Sequence, residues 1–270
     1  MSKHDVLTEQ EFAAFVPNQN ITRHMEEFAQ KSGRPREALK VLDWGCGRGR
    51  HVLWLREQGY QAYGVELDPM PVQHGLALIT AKGYPSDCLA LINNEGRSPF
   101  PDGFFDYVFS GNVLEHVSDI ESVCAEMARI TRKGGGGYHV FPAQRQPIEG
   151  HLFMPFVHWI PPGWLRRTII RTCVMLGREP RWVEVREASA ETKTEFYYKY
   201  SLNNIFYRRY SAVRRDFEER GLAVTFTTLD HPRIKRHPVL SRLLKIKMLR
   251  NLLNHILLTY KLVELQVEKR

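Results

Sequence analysis

The stretch VLDWGCGRGR at positions 41–50 decides how this chain folds. An apolar run ends on an acid, Asp43, and gives way to Gly45, Gly47 and Gly49 before a helical pattern from about Arg48 to Gln58. Glycines at a strand-to-helix junction let the backbone turn sharply and approach a ligand with no Cβ in the way. The dinucleotide fingerprint GxGxxG would put glycine at position 50, where Arg50 stands, which argues against a pyrophosphate ligand. An acid followed by GxGxG suits a ligand that offers a carboxylate to helix-terminal amides and an ammonium to nearby acceptors.

Working outward from this loop, short apolar runs alternate with helical stretches, the pattern of a parallel sheet covered on both faces. Strands are expected at 39–43, 62–66, 88–92, 105–110 and 138–141, with helices at 71–81 and 120–131 and a glycine turn at 134–137. Residues 1–38 read as an N-terminal helical cap, 39–142 as the ligand-binding core and 143–200 as an insertion rich in aromatics, Pro and Arg. Residues 201–270 complete the fold with a helix at 202–220, a strand at 223–229, a basic helix at 240–253 and a last strand, VELQVEK.

Composition narrows the setting. The 270 residues are 43% hydrophobic and 25% charged, and no run of about 18 apolar residues suggests a membrane span. Four isolated cysteines, with no CxxC pair, fit a reducing, cytoplasmic setting rather than a disulfide framework. Charge is uneven: residues 1–142 carry 14 Lys+Arg against 18 Asp+Glu, and residues 143–270 carry 24 against 12. A basic half attracts nucleic acid, an anionic membrane surface or an anionic substrate, and charge alone does not choose.

Two further motifs follow the glycine loop in order. YGVELDP places Glu66 at the end of the second strand, where an acid accepts hydrogen bonds from both ribose hydroxyls, and SPFPDGFFDYVFSGNVLEHV spans 98–117. With these motifs the chain resembles the class I S-adenosylmethionine-dependent methyltransferases, in particular the group that includes ubiquinone and menaquinone biosynthesis methyltransferases. The resemblance covers residues 39–142. It implies an α/β, Rossmann-like, doubly wound and mostly parallel seven-stranded sheet with an insertion after the fifth strand, and S-adenosylmethionine as cofactor. It also implies that Asp43, Gly45, Cys46 and Gly47 surround the methionine part of the cofactor, that Glu66 holds the ribose and that Leu67 flanks the adenine. The Asp that usually holds the adenine amine falls here at Asn94, followed by Glu95, and Ser110 or Gly111 would pass close to the sulfonium.

Methyl transfer to a hydroxyl needs a base. His116 follows the fourth strand at the ligand-bearing end of such a sheet and is the first candidate, although a His there can also cap a helix; His151 and His158 in the insertion are competitors. Related ubiquinone-type enzymes can carry an ExxEH arrangement associated with a divalent metal. Here the first carboxylate is replaced by Asn112, ahead of Glu115 and His116, and no metal is expected. Phe153, Phe156, Trp159 and Trp164 fit either a lid core or an acceptor wall. The reading is thus of O-methylation of a small-molecule, saccharide or lipid-linked acceptor, with peripheral contact to an anionic membrane. The alternatives are an RNA methyltransferase, which the basic half permits, and a non-catalytic relative that only binds cofactor or partner.

Overall fold

The computed structural model describes residues 6–93, 95–230, 234 and 236–270. Seven strands form one sheet: β1 (Lys40–Trp44), β2 (Gln61–Glu66), β3 (Leu89–Leu91), β4 (Phe105–Gly111), β5 (Thr131–Pro142), β6 (Leu222–Phe226) and β7 (Leu262–Lys269). Their order is β3-β2-β1-β4-β5-β7-β6. The pairs among β1 to β5 are parallel, and β7 runs antiparallel to both of its neighbours. The order reverses between β1 and β4, and ligands of open α/β sheets bind at such a reversal, outside the carboxyl ends of the strands.

Alternation along the strands sorts side chains onto two faces. On one, Val41, Tyr107, Phe109 and Val140 pack against α2 (Gln19–Ser32), α3 (Arg50–Glu57) and α4 (Pro69–Ala81) through Met25, Leu53 and Ile79. On the other, Leu42, Trp44, Val108 and Phe141 meet α5 (Ile120–Ile130), and the same core takes in Phe217 and Leu258 from later helices. The expected doubly wound sheet is present. A short α1 (Glu9–Ala13), fixed by a Thr8 capping box, is pinned beside the glycine loop by the ion pair between Glu11 and Arg48 at 3.3 Å.

The insertion contains two helices, α6 (Trp164–Met175) and α7 (Ala190–Asn203), around a small core that includes Leu152, Val157, Ile170 and Tyr197. The four aromatics weighed as a lid core do not belong to it: Phe153, Phe156, Trp159 and Trp164 are all exposed, and the core's aromatics are others, such as Tyr198. Three other expectations are corrected. The glycines at 134–137 form no turn between elements; they lie inside β5, where Gly136 and Gly137 pair with Tyr107 and Val108 past an irregularity in register. A Cβ on Gly137 would meet the Val108 carbonyl at 2.2 Å, so those glycines serve close strand approach. The helix expected over 202–220 breaks, and α8 (Tyr210–Glu218) is separate. Between α7 and α8 the chain is tied beneath the loop after β4, with the Phe206 N–H donating to the Glu115 carbonyl at 2.7 Å. The helix expected over 240–253 is likewise two, α9 (Pro238–Leu243) and α10 (Lys247–Tyr260). Met248, Leu252 and Ile256 stand exposed along α10. No helix among the described residues is long and apolar enough to cross a membrane.

Candidate active site

The crevice lies at the carboxyl ends of β1, β2 and β4. Gly45 adopts φ +78°, and its N–H and that of Cys46 both donate to the Val65 carbonyl, at 2.8 and 3.0 Å, folding the loop back over β2. A Cβ on Gly45 would meet Val113 at 2.5 Å, whereas one on Gly47 would meet nothing within 4 Å and would project into open space. Glu66 holds the loop from the other side: one carboxylate oxygen accepts the Gly47 N–H at 2.9 Å, the other the Leu67 N–H at 2.7 Å.

Two cavities open on this crevice. One, of about 420 Å³, is lined by Trp44, Leu67, Ile92, Asn93, Glu95 and His116 among others; the second, of about 590 Å³, by Phe15, Asp43, Cys46, Gly47, Gly111 and Asn112 among others. Gly45 and Glu66 line both. A ligand lying across the sheet edge would therefore pass over Gly45 and beside the Glu66 carboxylate. A larger groove of about 790 Å³ between α6 and α7 contains none of these groups and lies apart from the crevice.

Burial sets the electrostatics. It pushes the Asp43 carboxyl up to about 8, with the Glu66 charge adding to the shift, so Asp43 holds its proton at neutral pH. His51 faces it at 3.7 Å; burial, helped by the Arg50 charge, lowers that imidazole to about 4. The Asn18 N–H donates to His51 Nε2 at 3.4 Å, which puts the ring proton on Nδ1, toward Asp43.

Of the expected cofactor residues, Asp43, Gly45, Cys46, Gly47, Glu66, Leu67, Glu95 and Gly111 all line one or both cavities. Asn94 lies outside the described residues. Ser110 is corrected: it lines neither cavity, because its buried hydroxyl is bonded to His139 Nδ1 at 2.8 Å on the neighbouring strand. Sequence reading missed Ile92, Asn93 and Phe15, whose places depend on loops rather than on the strand pattern.

The two leading histidines come together. His116 Nδ1 bonds the Asn204 carbonyl at 2.6 Å and must donate to it, which in the neutral ring leaves Nε2 as the basic atom. His151 packs edge-on against it, ring centres 4.6 Å apart, and its Nδ1 bonds Glu149 Oε1 at 2.8 Å. Glu149 is fully buried. Burial works to raise its carboxyl, but hydrogen bonds from His151, Tyr207 and the Leu152 N–H outweigh it and hold the carboxylate below its usual range. Glu115, also buried, has no hydrogen-bond partner on either carboxylate oxygen, and burial raises it to about 7. His158 packs its ring against Tyr207 at 4.7 Å and lines neither cavity of the crevice.

Residues 42–138 match the model of a methyltransferase domain. Over that stretch the chain is similar to the class I methyltransferases. It is 37% identical over 108 residues to a ubiquinone biosynthesis O-methyltransferase of Rhizobium etli, covering 39% of this chain and 42% of that one. To ajmaline N-methyltransferase of Rauvolfia serpentina it is 33% identical over 95 residues, 35% of this chain and 33% of the other. The chain thus spans less than half the length of these curated relatives. Among solved structures it is similar to PKMT2 of Rickettsia typhi in complex with AdoHcy, with a TM-score of 0.54 at 15% identity over 87% of this chain and 49% of that one. The glycine loop and the acid ending β2, which face each other across the crevice, both lie within the matched region. The insertion at 143–200 lies outside the matched region.

Proposed function

We propose that this chain transfers a methyl group from S-adenosylmethionine to an oxygen on a small-molecule acceptor. The observation that carries the reading is the pair of cavities joined at Gly45 and Glu66, since one extended ligand with a ribose at its middle fits that plan. When bound, the cofactor supplies a methyl group on a cationic sulfur. Gly45 and Gly47 leave room for its amino-acid end, and Asp43 accepts from its ammonium. Glu66 exchanges the Gly47 and Leu67 N–H groups for ribose hydroxyls, while Leu67, Ile92 and Asn93 flank the adenine. His116, on the rim of the adenine-side cavity, and His151 packed beside it take up the acceptor proton.

An apolar or lipid-linked acceptor is favoured by the exposed Phe153, Phe156, Trp159 and Trp164 of the insertion and by the apolar face of α10 beside exposed Arg242, Lys245, Lys247 and Arg250. The decisive experiment is isothermal calorimetry with S-adenosylhomocysteine, followed by mass spectrometry of lipid and small-molecule fractions incubated with S-adenosylmethionine. A fourteen-dalton gain on an acceptor hydroxyl is expected. Absence of binding by the folded chain would end the reading, and flotation with anionic vesicles at low but not high salt tests the membrane part.

A further inference from the structure

The turn after β4, residues 112–119, forms a wall of the adenine-side cavity through Val113, His116, Val117, Ser118 and Asp119. It also bears on the glycine loop, because Val113 fills the space that a Cβ on Gly45 would need. Local sequence does little to hold that shape. Leu114–His116 is a single helical turn without a side-chain cap, entered through Asn112 in left-handed backbone at φ +56°. Such a segment leaves carbonyls for other parts of the chain to satisfy.

The connection between α7 and α8, residues 204–209, supplies the partners. The Phe206 N–H donates to the Glu115 carbonyl at 2.7 Å, and His116 Nδ1 bonds the Asn204 carbonyl at 2.6 Å. Arg208 ties the rest together. Its Nη2 donates to the Ser118 carbonyl at 2.6 Å, and its Nη1 to the Phe206 carbonyl at 2.9 Å and the Leu114 carbonyl at 3.4 Å. One half-buried guanidinium thus joins both ends of the turn to each other and to the connection. A cation drawn out of water to reach carbonyls is a costly way to fill space, and a side chain that merely packed there would need no charge. The planar fork matters as well, because its nitrogens reach two separated carbonyls in fixed directions, which a single ammonium cannot do.

We propose that Arg208 is a positioning residue for the cofactor crevice: by clamping the carbonyls of Leu114 and Ser118 it holds Val113 against Gly45 and His116 at the cavity rim. It acts through the turn, since it lines neither cavity of the crevice. The clamp fixes the adenine-side wall before any ligand arrives, so binding spends less on ordering that wall. That the ligand is the adenosyl cofactor rests on the methyltransferase reading; the clamp itself does not.

The test combines calorimetry with S-adenosylhomocysteine and hydrogen–deuterium exchange of the ligand-free full chain. Arg208→Ala should weaken S-adenosylhomocysteine binding about tenfold, the scale of losing hydrogen bonds from a charged donor. Its amides at 113–118 should exchange faster, while those of β1, β2 and the glycine loop keep their protection. Millimolar guanidinium, far below denaturing concentrations, should restore most of the lost affinity, whereas Arg208→Lys, which keeps the charge without the fork, should recover little. Arg209→Ala removes the same charge from an exposed neighbour and should change nothing. Unchanged affinity and exchange in Arg208→Ala overturn the clamp, and so does a loss accompanied by faster exchange throughout the sheet that guanidinium fails to reverse. If the unaltered chain does not bind S-adenosylhomocysteine, the methyltransferase reading falls. Exchange then decides the clamp alone: faster exchange confined to 113–118 sustains it, and unchanged exchange there removes it.

Discussion

The two walls of the crevice are built differently. On the β1–β2 side the ligand-facing groups are mostly backbone: turned glycines with the Glu66 carboxylate laid across them, all from residues 43–67. On the His116 side they are side chains that depend on distant segments: His116 is held by Asn204, and His151 by the nearby Glu149, which Tyr207 anchors in turn. A backbone site is set by local conformation and serves a ligand of fixed shape. A side-chain site changes with whatever loop packs over it, which suits a position where relatives differ in acceptor.

That contrast can be broken experimentally, beginning with the largest effect. Gly47→Val should abolish S-adenosylhomocysteine binding in calorimetry, because its Cβ would project into the cavity from a φ of +53° that branched residues avoid, while far-UV circular dichroism stays native. On the other wall, His116→Ala and His151→Ala should lower turnover by about 10² to 10⁴ and leave cofactor affinity nearly unchanged. If only His151→Ala slows the reaction, proton handling belongs to the insertion alone. Glu66→Ala should weaken cofactor binding by roughly 1 to 3 kcal/mol, the cost of losing hydrogen bonds to a charged acceptor.

Smaller effects follow from protonation. Asp43, raised to about 8 by burial and then by Glu66, carries a proton at pH 7, and an ammonium bound beside it would favour the charged form. Calorimetry in buffers of different ionisation enthalpy should therefore show release of up to about one proton on cofactor binding at pH 7, vanishing above pH 9. Affinity should rise with pH up to about 8. The opposite sense governs the buried imidazoles. Burial lowers His139 to about 3, and burial with Arg50 lowers His51 to about 4, while the unfolded chain takes up these protons near 6.5. Their contribution to stability is complete above pH 6.5 and is lost as pH falls toward 4, by about 1.4 kcal/mol per unit for each ring. Urea midpoints measured between pH 7 and 4.5 should fall, and fall less steeply in His139→Gln.

The four cysteines illustrate how far composition reaches: their isolation suggested free thiols, and Cys46, Cys88, Cys124 and Cys173 are all free and buried. The order of strands and helices through residue 142 was legible for a similar reason. Buried parallel strands are apolar runs, and the loop after β1 needs glycine for its positive φ angles, so both leave marks in local sequence. Glu66 was legible because its distance from the glycine loop is fixed by one helix and one strand. The glycine run inside β5 misled, since glycine serves close strand approach as well as turning, and only the neighbouring Val108 carbonyl distinguishes the two.

The sequence by itself determined the sheet, the glycine loop and the acid opposite it, because each depends on backbone conformation that a few adjacent residues dictate. It put forward His116 and His151 as separate candidates. Only the tertiary structure decided that their rings pack together, that Ser110 bonds His139, and that Glu149 and Tyr207 hold His151. Contacts between residues dozens of positions apart depend on how an insertion packs over a sheet edge, and no local pattern encodes that packing.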